Sequence, residues 1–366
     1  MRMAEVSIVK CSAYESAQLA AAVRQAVELI GGIGRFVKPG QRVLLKPNLL
    51  KCAAPEEAAT THPEFVRQVI RLVKQQTDRI VVADSPAGLV KAEAVYERTG
   101  MTAVCRSEGV ELARFDKITD THGLPTAQLF DDVDVCINLP KLKTHNLTVI
   151  TAAVKNVFGL VPGLYKVQCH KEHPNARVFS ELIAWIYQQL RPHLHLVDAV
   201  TAMEGDGPAA GKPRQVGLVV ASADGVAADA VLGEIIGAGV GRVTTTSHAA
   251  KLGAGEADLR RITIKGAQLD EVRIPDFVLP QLMWLYQLPN SLTRLALRLV
   301  PLALTMDRRL CNGCLLCTRI CPQQALLMVN GRPRVDARQC ILCLCCAEMC
   351  PQKAVYLRFL KRRMYS

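Results

Sequence analysis

Apolar residues in this chain switch between two periods. Six stretches are short and rich in β-branched and apolar residues: AEVSIVK at 4–10, QRVLLKPNLL at 41–50, RIVVADSPAG at 79–88, VDVCINLPKLKTH at 133–145, HLHLVDAV at 193–200 and VGLVVAS at 216–222. Between them the apolar positions recur at helical spacing. In residues 16–30, Leu19, Val23, Val27 and Ile30 fall on one face, and Gly31-Gly32 ends the run. Similar patterns predict helices near residues 63–76, 91–98, 180–191 and 226–236. Continuous apolar strands alternating with helices predict an α/β fold. The expected core is a largely parallel sheet covered by helices on both faces.

Polar residues gather where the strands end: Lys46-Pro47-Asn48, Asp84-Ser85-Pro86, then Lys141, Lys143, Thr144 and His145 after Pro140, Asp198 with Glu204-Gly205-Asp206-Gly207, and Asp224-Gly225. In open α/β sheets the ligand crevice lies beyond the carboxyl ends of the strands, so these clusters are expected to share one rim. Pro, Gly, Asn and Asp alone are ordinary turn chemistry, and Asp224 reads as the cap of the next helix. Lys and His are not turn residues. In an extended segment Lys141, Lys143 and His145 alternate onto one face, and Lys155 and Asn156 follow in a helical stretch. Lys46, Asn48, Lys141, Lys143, Lys155 and Asn156 are therefore candidate binders of an anionic ligand such as phosphate or carboxylate. Solvated rim charges are the plainer alternative. His62 reads as the residue before a helix opened by Pro63. Cys169, His170 and His173 could form a metal corner in an expected loop. Gly31-Gly32-x-Gly34 follows a helix, not a strand, and is no dinucleotide fingerprint.

Composition changes this picture at one end. The chain has 366 residues, is 50% hydrophobic and carries a formal charge of +12. Residues 306–366 hold eleven Lys and Arg against three Asp and Glu, so +8 of that charge sits in the last sixth. Nine of the fourteen cysteines lie between Cys311 and Cys350. No export signal or membrane span is evident, which predicts a cytoplasmic address and argues for metal or cluster ligation over disulfides.

Those cysteines form a duplication. CNGCLLCTRICP at 311–322 and CILCLCCAEMCP at 340–351 match at an offset of 29 residues. Each is C-x2-C-x2-C-x3-C-P, the run that holds cubane [4Fe–4S] clusters, in which the fourth Cys ligates the other cluster. The expected sets are Cys311, Cys314, Cys317 and Cys350 for one cluster, and Cys340, Cys343, Cys346 and Cys321 for the second. Four-cysteine zinc sites pair two knuckles and need no third Cys two residues on. Cys345 has no slot and reads as a small buried hydrophobe. Asn330-Gly331 between the halves predicts a type I′ hairpin. Residues 306–358 thus resemble a bacterial two-cluster ferredoxin, a small α+β module. Two oxidised clusters would offset about half of its positive charge, so it stays basic and is expected to serve its own chain or an acidic redox partner. A nucleic-acid partner is not expected.

VLLKPNLL, TTHP, ADSP, INLPKLKTH with TAAVKNVFGLVPG, DAVTAMEGDGP and VVASADGVAADAV together resemble the family known as domain of unknown function 362. Its members often carry a C-terminal two-cluster ferredoxin. The resemblance implies a cytoplasmic iron–sulfur protein and transfers no catalytic residue. The expected division is a body at 1–270, a Pro- and Leu-rich connector helix at 271–305, the ferredoxin module at 306–358 and a basic tail at 359–366. The connector reads as a packed helix in preference to a peripheral membrane anchor. The leading functional expectation is an iron–sulfur oxidoreductase, with Asp84 and His145 as candidate proton donors beside each electron. A non-catalytic ferredoxin-like carrier is the alternative, and regulatory or structural clusters the third.

Overall fold

The computed structural model describes residues 3–173, 175–280 and 302–359. Ten strands form one mixed sheet: β1 (Ala4–Lys10), β2 (Val43–Pro47), β3 (Ile80–Val82), β4 (Glu111–Leu112), β7 (Val135–Leu139), β8 (Lys141–His145), β9 (Val149–Thr151), β10 (Leu194–Glu204), β11 (Lys212–Ser222) and β12 (Ile262–Gly266). A separate hairpin pairs β5 (Ile118–Thr121) with β6 (Leu124–Ala127). The main order is β12-β1-β11-β10-β7-β2-β3-β4, with β8 and β9 branching from β10. Most neighbours are parallel, and only β11 and β9 run against the rest.

Period-2 alternation places successive residues on opposite faces, and both faces are dry. Val43 and Leu45 join Leu19, Val23, Phe65 and Val69 of helices Ser16–Glu28 and Pro63–Val73. Leu44 and Val81 join Phe179 and Ile183 of helix Ala176–Gln189 on the other face. Towards β1 and β10, Val6, Ile8 and Val197 pack on Ala227 and Val231 of helix Gly225–Ile235. This is the doubly covered sheet that continuous apolar strands predict. The helix Met101–Glu108 was not anticipated; left-handed Gly100 separates it from Ala92–Arg98.

The rim differs from expectation in one respect. Because β11 is antiparallel to β10, its Ser222 lies opposite His195, near the start of β10. Asp224-Gly225 therefore sits at the far end of the sheet, where Asp224 accepts hydrogen bonds from the Val226 and Ala227 amides as a helix cap. Asp198 also lies inside β10, not at its end.

At the C-terminus, β13 (Leu302–Met306) pairs antiparallel with β16 (Val355–Phe359), and β14 (Leu326–Val329) with β15 (Arg332–Val335). The expected turn is present: Val329 pairs with Arg332, and Asn330 and Gly331 both have positive φ, at 50° and 73°. The duplication extends to the backbone. Leu315 and Leu344 are left-handed at 60° and 63°, Gln324 and Lys353 both at 51°, and Gly313 and Leu342 at 75° and 54°. Most of the connector predicted at 271–305 lies outside the described residues. Its start, through Phe277 and Leu279, packs on the body.

Candidate functional site

The cysteine quartets assemble across the repeat. Cys311, Cys314, Cys317 and Cys350 line one small cavity, together with Leu315, Leu316 and Pro333. Cys321, Cys340, Cys343 and Cys346 line a second, together with Leu304, Leu326 and Leu344. The amide of Ala325 donates to Cys321 Sγ at 3.3 Å, and that of Ala354 to Cys350 Sγ at 3.2 Å, at equivalent repeat positions. Amide donors of this kind stabilise thiolate sulfur and tune a cluster's potential. Among the described residues no three or more His, Cys, Asp or Glu converge closely enough for a single metal ion. A donor set of four thiols around each of two apolar cavities fits an iron–sulfur cube. Cys345 lines neither cavity.

The module is seated on the sheet rim through its two short helices, Leu316–Ile320 and Cys345–Met349. Gly88, in the loop after β3, allows the contact. It has φ +58°, and a Cβ there would collide with Ile320 and press on Met349. Glu348 Oε1 reaches within 3.4 Å of His145 Nε2, and Lys353 pairs with Glu57 at 3.2 Å. His145 Nδ1 accepts the Leu147 amide, so the proton of the neutral ring sits on Nε2, facing Glu348. Burial, reinforced by Lys155, holds that ring well below the ordinary histidine value, so it is neutral.

A cavity of about 70 Å³ lies between rim and module. It exceeds several-fold the 10–15 Å³ or so that one water needs, so it has room for a small ligand. Asn48, Asp84, Lys155, Asn156, Lys166 and His170 line it from the body, and Ile320, Cys345, Glu348 and Met349 from the module. Lys155 Nζ makes no hydrogen bond or ion pair among the described residues. It rests over Phe158 and Phe179, at 5.4 and 5.6 Å from the ring centroids. Lys166 donates to the carbonyls of Ser85 and Pro86, and burial lowers it to about 7 against partial opposition from Asp84. His170 stacks on Phe179 at 4.2 Å, its Nδ1 has no partner, and burial lowers it to about 3. The predicted loop around it is the helix Tyr165–Glu172, and it forms no metal corner.

The remaining rim candidates are buried, not solvated. Lys46 pairs with Asp84 at 2.7 Å directly behind the cavity wall, and Gly159 is required there because a Cβ would strike both groups. Asp84 Oδ2 also accepts the Leu49 amide. Lys143 donates to Asn48 Oδ1 at 2.8 Å and to the Ala59 carbonyl. Burial, with Lys155 nearby, lowers it far below the ordinary lysine value. From Asn48 a chain of amides runs inward through Asn156 and Asn138, at 2.7 Å per step, and on to His195 at 3.0 Å and Tyr187 at 3.2 Å. Such a connected network fixes Asn48 and Asn156 in place. Lys141 does not reach the cavity. It is salt-bridged to Asp198 at 2.8 Å and donates to the Tyr14 hydroxyl, beside the Tyr14–His62 ring stack. Sequence reasoning missed Lys166 and Glu348. The signal for Glu348 was its repeat position, which holds Arg319 in the first half.

Fold and thiol sets together define an α/β protein carrying a 4Fe–4S ferredoxin-type module. The chain belongs to the family described as domain of unknown function (DUF362), whose profile matches residues 43–234; a 4Fe-4S dicluster domain matches 303–351. It is 36% identical over 295 residues to a thylakoid-associated protein of Synechocystis sp., covering 76% of this chain and 92% of that one. Among solved structures, the lactate racemase apoprotein from Thermoanaerobacterium thermosaccharolyticum aligns at TM-score 0.39 and 10% identity, over 62% of this chain and 55% of that chain. A Thermotoga maritima protein aligns at 0.36 and 14%, over 59% and 57%. Likeness that low carries no argument about chemistry.

Proposed function

We propose that this iron–sulfur electron-transfer protein is an oxidoreductase acting on a small anionic ligand held in the cavity between rim and module. The observation that carries this is Lys155, a half-buried ammonium with no hydrogen bond or salt bridge among the described residues, facing a cavity beneath the cluster-bearing helices. A partly desolvated cation without a salt bridge carries an unfavourable desolvation cost, and an anion in the cavity would offset it. In this reading Cys311, Cys314, Cys317 and Cys350 hold one [4Fe–4S] cluster, and Cys340, Cys343, Cys346 and Cys321 the other. The clusters supply one-electron exchange. Lys155 and Lys166 bind the anion's charge, and Asn48 and Asn156 orient it. Asp84 and His145 stay as the candidate proton carriers, His145 through its Nε2 proton at Glu348. Lys141 serves the fold at Asp198.

The seating of the module on its own rim favours this over a freely acting carrier, whose clusters have no need of a polar cavity lined by the body's lysines. The proposal places the protein in the cytoplasm, where thiols stay reduced; among the described residues no helix is long and apolar enough to cross a membrane. Flotation with anionic liposomes separates that address from the membrane association that the Synechocystis relative's name describes. The function is tested by mass spectrometry of small molecules released from anaerobically purified protein. Parent protein should release one anion that Lys155→Met lacks, with iron, sulfide and the reduced EPR spectrum unchanged. Equal release, or none from either, returns the protein to the carrier class.

A further inference from the structure

The two quartets differ in how they meet solvent. In the quartet of Cys311, Cys314, Cys317 and Cys350, Cys314 is exposed, whereas Cys343 and Cys346 of the other are buried. Around Cys314 the surface is apolar at its centre: Leu310 and Leu315 are 51% and 37% exposed. Arg308 and Arg309 directly precede Leu310, Arg319 follows Leu315 by one helical turn, and these are all exposed, as are Arg332 and Arg334 on the neighbouring strand. None of these arginines has a carboxylate partner among the described residues; Arg332 instead donates to the Arg308 carbonyl. Guanidinium groups without carboxylate partners beside a small apolar centre have the composition of a protein-binding patch. Arg is enriched in such interfaces, and a patch of one sign steers a partner of the other.

We propose that this face, centred on Cys314, Leu310 and Leu315, docks an acidic one-electron carrier protein. Charge complementarity selects the carrier, and the exposed cysteine at the patch centre selects a redox partner over a passive anionic surface. One electron passes per encounter. The carrier's centre is oxidised by one unit, the cluster held by the Cys311 quartet is reduced by one, and no bond or proton is exchanged. Ile320, Glu348 and Met349 of the module meet the chain's own rim, whereas Cys314, Leu310 and Leu315 stay exposed, so the arginine face is where electrons enter. The proposal needs the clusters but not the cavity ligand, so it stands or falls separately from the function above.

The test mixes a reduced, acidic plant-type [2Fe–2S] ferredoxin anaerobically with oxidised holoprotein and follows the second-order rate by stopped flow. The rate should fall steeply with salt, and Arg309→Glu with Arg319→Glu should lower it about tenfold or more at low ionic strength. Leu310→Ala should lower it with its salt slope unchanged. Iron, sulfide and the reduced EPR spectrum should match the parent in every variant. A salt-independent rate, a rate unmoved by the charge reversals, or an equal rate with a basic carrier overturns the proposal. So does binding of anionic vesicles by the same arginines without any effect on the ferredoxin reaction.

Discussion

The two halves of the cysteine repeat share a motif and a backbone, left-handed residues included, yet they face different surroundings. In the first half the middle of the three positions between the third and fourth Cys is Arg319, in water; in the second it is Glu348, facing His145 and the Lys155 cavity. Leu316 in the first half corresponds to Cys345 in the second, which lines the cavity and neither quartet. Ile320 and Met349 remain alike because both pack on Gly88. Ligation fixes the cysteines and the turns, whereas the residues between them record what each half touches. One half meets solvent and the other meets the body.

The comparison is broken most severely at a ligand. Cys346→Ser should remove about half of the iron and destabilise the module, whereas Cys345→Ser, one residue away, should retain all of it; iron and sulfide assays with EPR read both. Next comes exchange of the differentiated position. Glu348→Arg puts a cation beside Lys143, Lys155 and Lys166 and should cost about 3 kcal/mol, while Arg319→Glu in solvent should stay within about 0.5 kcal/mol. Denaturant titration, and proteolysis between body and module, report both effects. Gly88→Ala adds a Cβ where Ile320 sits and should cost about 1–3 kcal/mol by the same measurement. A pH dependence follows from Lys166, lowered by burial to about 7 from 10.5. Between those values the unfolded chain binds the extra proton, so this group makes stability rise with pH, and its full burial cost remains below 7. Lys166→Met should therefore flatten stability against pH across 7 to 9 relative to the parent. The smallest effect is at Leu342, left-handed at 54° where the first half has Gly313. Leu342→Gly should gain about 0.5 kcal/mol, strain relief outweighing the added freedom of the unfolded chain.

Much of this was legible because it is local. The strands of the body, the Pro63 and Asp224 helix starts and the Asn330-Gly331 turn all follow from spacing and turn chemistry within short windows. The direction of β11 was not legible: a short apolar strand reads the same parallel or antiparallel, and the reversal carries Asp224 away from the rim. The separation of Lys141 from Lys143 and His145 was also hidden. Alternation fixes a shared side of the strand, but β8 meets Asp198 at one end and the module at the other. Lys166 became visible only when helix Tyr165–Glu172 folded against Ser85 and Pro86.

The most direct test of the crossed assembly is iron and sulfide analysis of two double variants prepared without oxygen. The parent should hold about eight iron and eight sulfide per chain. If quartets cross between halves, Cys311→Ser with Cys350→Ser damages a single cluster and leaves about four of each, while Cys311→Ser with Cys321→Ser leaves almost none. The reverse ranking would mean that each half binds its own cluster, and zinc or colourless protein without sulfide would contradict the account altogether.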